Sequence, residues 1–277
     1  MELDTRELPS LKHYSDNPLV TVQLVTHSGD LHLVPRAIES LCHQTIPHEL
    51  MDVQLIFDGK PTPEEDEAIV EATAGVDFPI LLIHAEEKSG YYTKPRNQAL
   101  PKVWGTYIVH MDADNRFAAA HLQNLLNGIR DPEGWHHFAY GQRVYVSDEG
   151  APKGLPGGTS PFKEWTPENV EPMVTDPMMN FIDTGDFIIG RSTLYWLAEL
   201  TGHVWDGEMR RFGDWELISR MARVGFRGKA IHSATHFYHW TGQNLQLTRG
   251  TTGDDEVMII PQSLHDQLVR EGKYRAN

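Results

Sequence analysis

Hydrophobic and polar residues follow two alternating patterns along the chain. Short apolar runs rich in β-branched residues, at 19–26, 53–57, 80–84 and 106–111, have the length and composition of buried strands. Between them, residues 33–44, 64–74 and 91–103 space their apolar positions as helices do, the last interrupted by Pro95 and Pro101. Strands that alternate with helices predict βαβ units, so the sequence indicates an α/β domain with a mostly parallel central sheet flanked by helices.

The second half of the chain predicts a less regular order. We expect helices at 121–129, 192–201 and 212–224, strands at 138–146 and 229–239, an extended stretch at 178–190, and a Gly- and Pro-rich loop or flap at 148–172. Residues 1–18 form a polar N-terminal arm, 245–256 a mobile polar segment and 261–274 a terminal helix. Because no repeat and no break in composition divides residues 19–244, a single domain with a C-terminal extension, 245–277, is the simplest interpretation.

Three polar residues fall where predicted parallel strands end: Thr26, Asp58 and Asp112. In open α/β sheets ligands bind beyond the carboxyl ends of the strands, so we expect these residues to line a nucleotide site at one edge. The chain has no Gly-x-Gly-x-x-Gly after its first strand and no Gly-x-x-x-x-Gly-Lys. Neither the dinucleotide nor the P-loop mode of phosphate binding is supported.

The sequence Asp112-Ala113-Asp114 places two carboxylates directly after a buried strand. Residues two apart in extended backbone project to the same side, and neighbouring carboxylates repel each other unless a cation or a proton lies between them. Hard oxygen ligands that leave coordination positions open suit Mg²⁺ or Mn²⁺ carrying a diphosphate. A solvated turn is the alternative for such a short motif.

Charge and cysteine content restrict the possible partners. The chain has 39 acidic and 24 basic residues, a net charge of −15, which argues against broad contact with nucleic acid or an anionic membrane. The single cysteine, Cys42, excludes an internal disulfide and fits a reducing compartment. No stretch reaches the roughly 18 apolar residues of a membrane span, and residues 1–10 have no signal-peptide pattern. We therefore expect a soluble, cytoplasmic protein without an integral membrane segment.

Several segments together resemble family 2 of the GT-A glycosyltransferases, over about residues 20–244. The similar segments are the opening strand 22–26, the helix end 40–45 (Ser-Leu-Cys-His-Gln-Thr), 57–59 (Phe-Asp-Gly), 96–99 (Arg-Asn-Gln-Ala), 112–114, the helix 213–220 (Gly-Asp-Trp-Glu-Leu-Ile-Ser-Arg) and 239–242 (His-Trp-Thr-Gly). Residues 25–28 depart from the usual Pro-Thr-Tyr-Asn, and Gly213 replaces a glutamate. The resemblance implies a Rossmann-like GT-A domain with a nucleotide-binding half, 19–116, and an acceptor half, 117–244.

The resemblance also implies roles on the donor side. Asp58 would accept a hydrogen bond from the nucleobase, which favours a uridine or thymidine nucleotide, with UDP preferred; a turn-capping aspartate is its alternative. Thr26 would contact the base and the ribose. Arg96 would hold a phosphate or orient Asp112. Asp114 would be the direct ligand of Mn²⁺ or Mg²⁺, with Asp112 nearer the ribose or a metal-bound water. His239 would complete the coordination sphere of the metal, and His236 is the alternative ligand.

The acceptor side of the resemblance implies an inverting transfer to a hydroxyl of a glycan or another acceptor. Asp214 would be the base that takes the hydroxyl proton; a plain helix cap is its other reading, and Glu216 is the alternative base. Asp183, with Asp186, would accept hydrogen bonds from sugar hydroxyls. The aromatic residues Trp205, Trp215, Tyr238 and Trp240 would stack on sugars or belong to the core, and 245–254 would be a lid or a loop.

Two other functions compete with this one. A nucleotidyltransferase that makes nucleotide sugars usually needs a basic, Gly-rich loop after the first strand, whereas residues 27–30 (His-Ser-Gly-Asp) contain no Lys or Arg. A GT-A-shaped protein that binds a nucleotide or a glycan without turnover is hinted at only by Gly213. The presence of Asp112, Asp114 and Asp214 favours an enzyme.

Overall fold

A computed structural model of the chain describes residues 4–8, 18–132, 134–147, 158–209 and 212–240. Ten strands of these residues form one sheet in the order β1-β4-β3-β2-β5-β9-β7-β10-β6, with β8 paired to β7. The strands are β1 (Asp4–Leu8), β2 (Val20–Thr26), β3 (Met51–Phe57), β4 (Ile80–His84), β5 (Tyr107–Asp112), β6 (Arg116–Phe117), β7 (Phe138–Ser147), β8 (Gly158–Thr159), β9 (Phe187–Gly190) and β10 (Gly228–Trp240). The helices are α1 (Val34–Cys42), α2 (Pro63–Ala72), α3 (Thr93–Ala99), α4 (His121–Ile129), α5 (Pro167–Thr175), α6 (Arg191–Thr201) and α7 (Gly213–Arg223).

The centre of the sheet is parallel. Strands β4, β3, β2 and β5 pair in parallel, and β10 pairs in parallel with β7. Strand β9 lies antiparallel between β5 and β7, and the outer strands β1 and β6 are also antiparallel to their neighbours. The predicted fold class, one α/β domain with a mostly parallel sheet flanked by helices, is confirmed.

Two predicted segments are more ordered than the sequence indicated. The predicted loop 148–172 overlaps helix α5, which begins with Pro167 in its first turn, where a fixed φ suits a helix. Met173 on this helix is fully buried, and its carbonyl accepts a 2.6 Å hydrogen bond from Trp215 Nε1. The predicted N-terminal arm contains β1, which extends the sheet beyond β4.

The predicted C-terminal segments 245–256 and 261–274 lie outside the described residues. Of the helices within the described ranges, none has both the length and the apolar character needed to cross a membrane.

The two faces of the sheet pack against separate apolar clusters. On one face, Val22 and Leu24 of β2 pack with Val34 and Leu41 of α1, and all four are fully buried. The other face, toward the second half of the chain, packs against a cluster centred on Trp205, with side chains from α6 and α7. Because both faces are covered, every residue of β2 and β3 is buried, as in other parallel sheets.

A row of buried polar side chains crosses the second face. Thr21 Oγ1 donates to Asp52 Oδ1 at 2.7 Å, and Gln23 Nε2 donates to Gln54 Oε1 at 2.9 Å. Gln23 is in register with His110 of β5, whose ring is fully buried against Phe187 and Trp205. Burial raises the pKa of Asp52 to about 7, against a smaller lowering by the Thr21 hydroxyl.

This raised pKa predicts that Asp52 makes stability depend on pH. The folded state binds the Asp52 proton more tightly than the unfolded chain does. The contribution of protonated Asp52 to the free energy of unfolding is therefore full below about pH 4 and is lost as pH rises toward 7. We expect Asp52→Asn to be more stable than wild type at pH 8, by about 1–3 kcal/mol, and to gain little at pH 5. Urea unfolding at both pH values measures this, with Glu64→Gln on exposed α2 as the control. An equal gain at both pH values would contradict the assignment.

Candidate active site

The predicted nucleotide edge is formed by three adjacent strands. In the sheet, β2 lies between β3 and β5, and Val25 is in register with Asp112. The backbone N–H of Asp58 donates to the carbonyl of Thr26 at 2.9 Å. The prediction that Thr26, Asp58 and Asp112 share one edge of the sheet is confirmed.

Asp58 anchors the loop that follows β4. Its carboxylate accepts hydrogen bonds from Ser89 N at 2.8 Å, Ser89 Oγ at 2.8 Å and Gly90 N at 2.7 Å. The loop is therefore held against the end of β3, beside any ligand at this edge. The hydroxyl of Thr26 is buried and has no hydrogen-bond partner among the described residues, so it is available to a ligand.

Arg96 lies beneath the Asp112 end of the site. Its side chain is fully buried, and Nη2 donates to Asp112 Oδ1 at 2.8 Å and to the carbonyl of Met111 at 3.3 Å. Its guanidinium carbon is 4.5 Å from the centre of the Tyr92 ring and 5.4 Å from that of Trp205. Of the two predicted roles for Arg96, the structure contains the contact that orients Asp112.

Asp114 is a buried carboxyl that lies near other carboxylates. Burial raises the pKa of its carboxyl well above the usual value, and Asp112, Asp30 and Asp183 raise it further, while Arg36 lowers it. Arg96 is paired with Asp112. A carboxylate held among other carboxylates favours a bound cation or a proton. The oxygen ligands of Asp112 and Asp114 therefore fit Mg²⁺ or Mn²⁺ in donor type and in charge.

The two histidines predicted for the metal have different surroundings: Nε2 of His236 is buried without a hydrogen-bond partner among the described residues, whereas Nε2 of His239 is engaged. Nε2 of His239 accepts a 2.9 Å hydrogen bond from Arg116 Nε, and the backbone N–H of His239 donates to Asn115 Oδ1. Nδ1 of His236 donates to Asp186 Oδ1 at 2.8 Å in a fully buried pair. Across the described ranges, no three His, Cys, Asp or Glu residues are grouped so as to hold a metal ion. A role for His239 as a ligand would require its contact with Arg116 to be exchanged.

Arg143 organises the acceptor side of the site. It extends from β7 and contacts Asp183 Oδ2 at 3.2 Å through Nη1 and Asp186 Oδ2 at 2.9 Å through Nη2. Burial raises the pKa of Asp183 despite Arg143. Burial opposes ionisation of Asp186 too, but Arg143 and the bond from His236 keep its pKa below the usual value. Asp186 is thus enclosed by structural contacts, and Asp183 is the better placed of the two for a ligand.

Asp214 lies in the first turn of α7 and is buried. Burial, followed by the charge of Asp183, raises its pKa to about 7. Asn180 Nδ2 donates to Asp214 Oδ2 at 2.8 Å, and the backbone N–H of Asp214 donates to Tyr92 Oη at 3.1 Å. A carboxyl with this pKa exchanges a proton readily at neutral pH, as a general base must.

The alternative base, Glu216, is committed to another network. Its carboxylate accepts from Arg220 Nε at 2.7 Å and Arg220 Nη2 at 2.9 Å. The same guanidinium donates to Thr201 Oγ1 at 2.7 Å and to the carbonyls of His203 and Val204. Both carboxylate oxygens of Glu216 are therefore bound by Arg220, which also fixes the loop after α6.

Close packing explains why glycine precedes Asp214. A Cβ atom at Gly213 would lie 2.5 Å from Thr93 Cγ2 and 3.0 Å from Tyr92 Oη. Phe212, before it, has a left-handed backbone (φ 56°), which is uncommon for a bulky residue. Helix α7 thus begins so close to α3 that a side chain at 213 does not fit, and the departure from the family's glutamate follows from this contact.

The aromatic residues predicted to stack on sugars belong mainly to the core. Trp205 is fully buried and Tyr238 is 8% exposed. Trp215 packs against the second core cluster and donates its indole N–H to Met173. The side chain of Trp240 lies outside the described residues.

Three site residues were missed by the sequence interpretation: Tyr92, Arg143 and Asn180. Arg143 carried one signal, since it is a charged residue inside an aromatic and β-branched strand. Tyr92 lies in the predicted helix 91–103 and Asn180 in the predicted extended stretch 178–190, but neither pattern indicates a contact with Asp214, which only the fold creates.

A largely parallel sheet of this order, with paired carboxylates at the carboxyl end of β5 and a buried acid in the first turn of α7, matches the GT-A fold. The chain belongs to glycosyl transferase family 2, whose family model matches residues 22–197, more than half of its length. The predicted family is confirmed, and the family 2 domain supports the predicted class of enzyme, a transferase.

Two curated relatives are from Bacillus subtilis (strain 168). The chain is 30% identical to the minor teichoic acid biosynthesis protein GgaB over 107 residues, which are 39% of this chain and 11% of GgaB. It is 27% identical to the uncharacterized glycosyltransferase EpsJ over 135 residues, 47% of this chain and 37% of EpsJ. The chain thus matches only a minor part of either relative.

Two solved structures share the fold. S. aureus TarS 1-349 in complex with UDP-GlcNAc superposes with a TM-score of 0.60 at 16% identity, over 87% of this chain and 60% of TarS 1-349. The mannosyltransferase PcManGT from Pyrobaculum calidifontis, in complex with GDP-Man and Mn²⁺, superposes with a TM-score of 0.57 at 16% identity, over 86% of this chain and 62% of PcManGT.

The contact at Gly213 predicts a specific epistasis. Gly213→Ala should destabilise the fold by about 1–3 kcal/mol through overpacking against Thr93. Thr93→Ser deletes the clashing methyl and keeps the 3.0 Å bond from Oγ1 to Met209 O, so the double variant should recover most of the loss.

Urea unfolding of the four proteins measures this coupling. Gly207→Ala is the control, because a Cβ there meets only Asn97 Nδ2, at 3.9 Å. Additive effects of Gly213→Ala and Thr93→Ser would show that the methyl contact is not the constraint.

Proposed function

We propose that this glycosyltransferase moves a sugar from a nucleoside-diphosphate sugar, preferentially a UDP-sugar, to a hydroxyl of a glycan or a similar acceptor. The transfer is a single displacement with inversion at the anomeric carbon. The observation that carries the proposal is Asp214, a buried carboxyl with a pKa of about 7 that Asn180 holds on the acceptor side of the carboxylate edge.

Residues of the donor side support this reaction. The Thr26 hydroxyl, which has no hydrogen-bond partner among the described residues, and the loop anchored by Asp58 would contact the nucleoside. Asp112 and Asp114 would hold Mg²⁺ or Mn²⁺ together with the donor diphosphate. When bound, such a cation neutralises the charge of the departing diphosphate. The UDP-GlcNAc of the TarS complex and the Mn²⁺ of the PcManGT complex suggest the nucleotide and the metal.

On the acceptor side, an acceptor oxygen attacks the anomeric carbon from the face opposite the diphosphate. As the new bond to this oxygen forms, the bond from the anomeric carbon to the diphosphate breaks, and the hydroxyl proton passes to Asp214. Asp183, beside Arg143, accepts a hydrogen bond from a sugar hydroxyl. The net charge of −15 disfavours nucleic acid as the acceptor.

Donor binding tests the first half of the proposal. In calorimetric titrations we expect UDP to bind more tightly with Mn²⁺ than with EDTA, and Asp114→Asn to lose that difference, because one metal ligand and its charge are removed. Glu67→Gln, an exposed change on α2, is the control. GDP and TDP compare the nucleobases.

Metal-independent UDP binding with no effect of Asp114→Asn would contradict the metal site. If none of the three nucleotides bound, the donor site itself would be wrong.

Donor hydrolysis, with water as the acceptor, tests the base. Asp214→Asn should lower kcat about 10²–10⁴-fold while UDP binding is retained. In wild type the rate should rise with pH through an apparent pKa near 7. Asn180→Ala removes a hydrogen-bond donor to the Asp214 carboxylate, and this loss raises the pKa of Asp214. The rise of the rate with pH should therefore occur at higher pH, and the rate at high pH should approach that of the wild type.

Asn127→Ala, on the exposed side of α4, is the matched control and should leave the profile unchanged. If Asn180→Ala lowered the rate of donor hydrolysis by the same factor at every pH, Asn180 would have a structural role only. NMR of the first sugar released identifies its anomer, and retention of the donor's configuration would overturn the inverting mechanism.

A further inference from the structure

A second cavity, of about 530 Å³, opens at the opposite edge of the sheet from the candidate active site. Its floor includes Tyr107, at the start of β5, and Gly190, at the end of the antiparallel strand β9. Since a strand rises about 3.3 Å per residue, Tyr107 lies about 16 Å from Asp112 along β5. The cavity is therefore separate from the donor and acceptor sites.

Two exposed indoles line this cavity. Trp135 is 73% exposed and Trp196 is 43% exposed. Both are supported from behind by His137, whose ring centre is 4.6 Å from that of Trp135 and 5.8 Å from that of Trp196. The His137 ring is itself stacked on Phe226 at 4.3 Å. Large exposed aromatic residues on a rigid support are a costly feature of a surface and are typical of binding sites.

The polar groups of the cavity are neutral. Ser192 and Thr193 line it from the first turn of α6, whose N-cap, Gly190, has no side chain to satisfy the helix N–H groups. Burial, with Lys229 nearby, lowers the pKa of His136, so this ring is uncharged at pH 7. The described lining contains no carboxylate, lysine or arginine. An ionic ligand would find no charged side chain in the lining itself.

We propose that this cavity is a second carbohydrate site, which binds neutral sugar units of a glycan by stacking them on Trp135 and Trp196. A pyranose has an apolar C–H face that matches an indole and hydroxyls that match Ser192, Thr193 and the helix N–H groups. The volume lies within the range of about 300–1,000 Å³ usual for small ligands. A concave site of this size suits a sugar better than a second copy of the chain, which needs a broader complementary surface.

Fluorine NMR of the 277-residue chain labelled with 5-fluorotryptophan tests the proposal. The chain has seven tryptophans, and the signals of Trp135 and Trp196 are assigned by single replacement with phenylalanine. Cellohexaose, chitohexaose and mannohexaose serve as probes at millimolar concentration. We expect saturable shifts of these two signals with at least one probe, and we expect them to persist when UDP and Mn²⁺ are present.

Alanine variants locate the binding. Trp135→Ala and Trp196→Ala should each weaken sugar binding about tenfold or more, measured by saturation-transfer NMR, while thermal unfolding and UDP binding stay unchanged. Tyr195→Ala is the matched control, since Tyr195 is 42% exposed on the same helix but does not line the cavity. It should bind sugar as wild type does.

Three outcomes would overturn the proposal. The first is the absence of a saturable shift with all three probes, and the second is displacement of the sugar by UDP, which would place it in the donor site. The third is a dimer, detected by analytical ultracentrifugation without sugar, that Trp135→Ala dissolves, because the surface would then bind a second copy of the chain. Binding of UDP to the donor site is measured in a separate titration. If that titration failed, the proposed donor site would be wrong, and this result is distinguishable from each of the three outcomes above.

Discussion

The candidate site depends on a balance of buried charge that two arginines set. Arg96 holds Asp112 on the donor side, and Arg143 holds Asp183 and Asp186 on the acceptor side. A guanidinium does not lose its proton in proteins, so each arginine keeps its carboxylates close. Burial raises the pKa values of the Asp114 and Asp214 carboxyls, and neighbouring carboxylates raise them further. Such a site favours a metal ion at one end and a transferable proton at the other.

Tyr92 links the two ends of the site mechanically. Its ring packs over the Arg96 guanidinium at 4.5 Å, and its hydroxyl accepts the backbone N–H of Asp214 at 3.1 Å. The same residue, with Thr93, leaves no room for a side chain at Gly213. The position of α7 is therefore set by contact with α3, and the unusual glycine is a packing requirement of this chain. It need not indicate a loss of catalysis.

The sheet that carries these residues is unusual in its interior. Burying both faces of a parallel sheet normally favours continuous apolar strands, yet β2 and β3 place Thr21, Gln23, Asp52 and Gln54 on a covered face. Side-chain hydrogen bonds, Thr21 with Asp52 and Gln23 with Gln54, offset part of the desolvation, while Gln23 Oε1, Asp52 Oδ2 and Gln54 Nε2 stay buried without a partner among the described residues. These pairs link neighbouring strands and add a specific register to the sheet beneath the site.

The sequence by itself determined the α/β class, the order of most strands and helices, and the edge at which Thr26, Asp58 and Asp112 meet. Those features follow from local periodicity and from the rule that parallel strands end together, so the sequence was sufficient. It did not predict α5 or the pairing of β1, because a proline-rich helix and an edge strand have weak local patterns. Only the tertiary structure decided that His239 contacts Arg116, and that Asn180 and Tyr92 meet Asp214. These partners are far apart in sequence or lie in loops, and their choice depends on packing between elements, which no local pattern records.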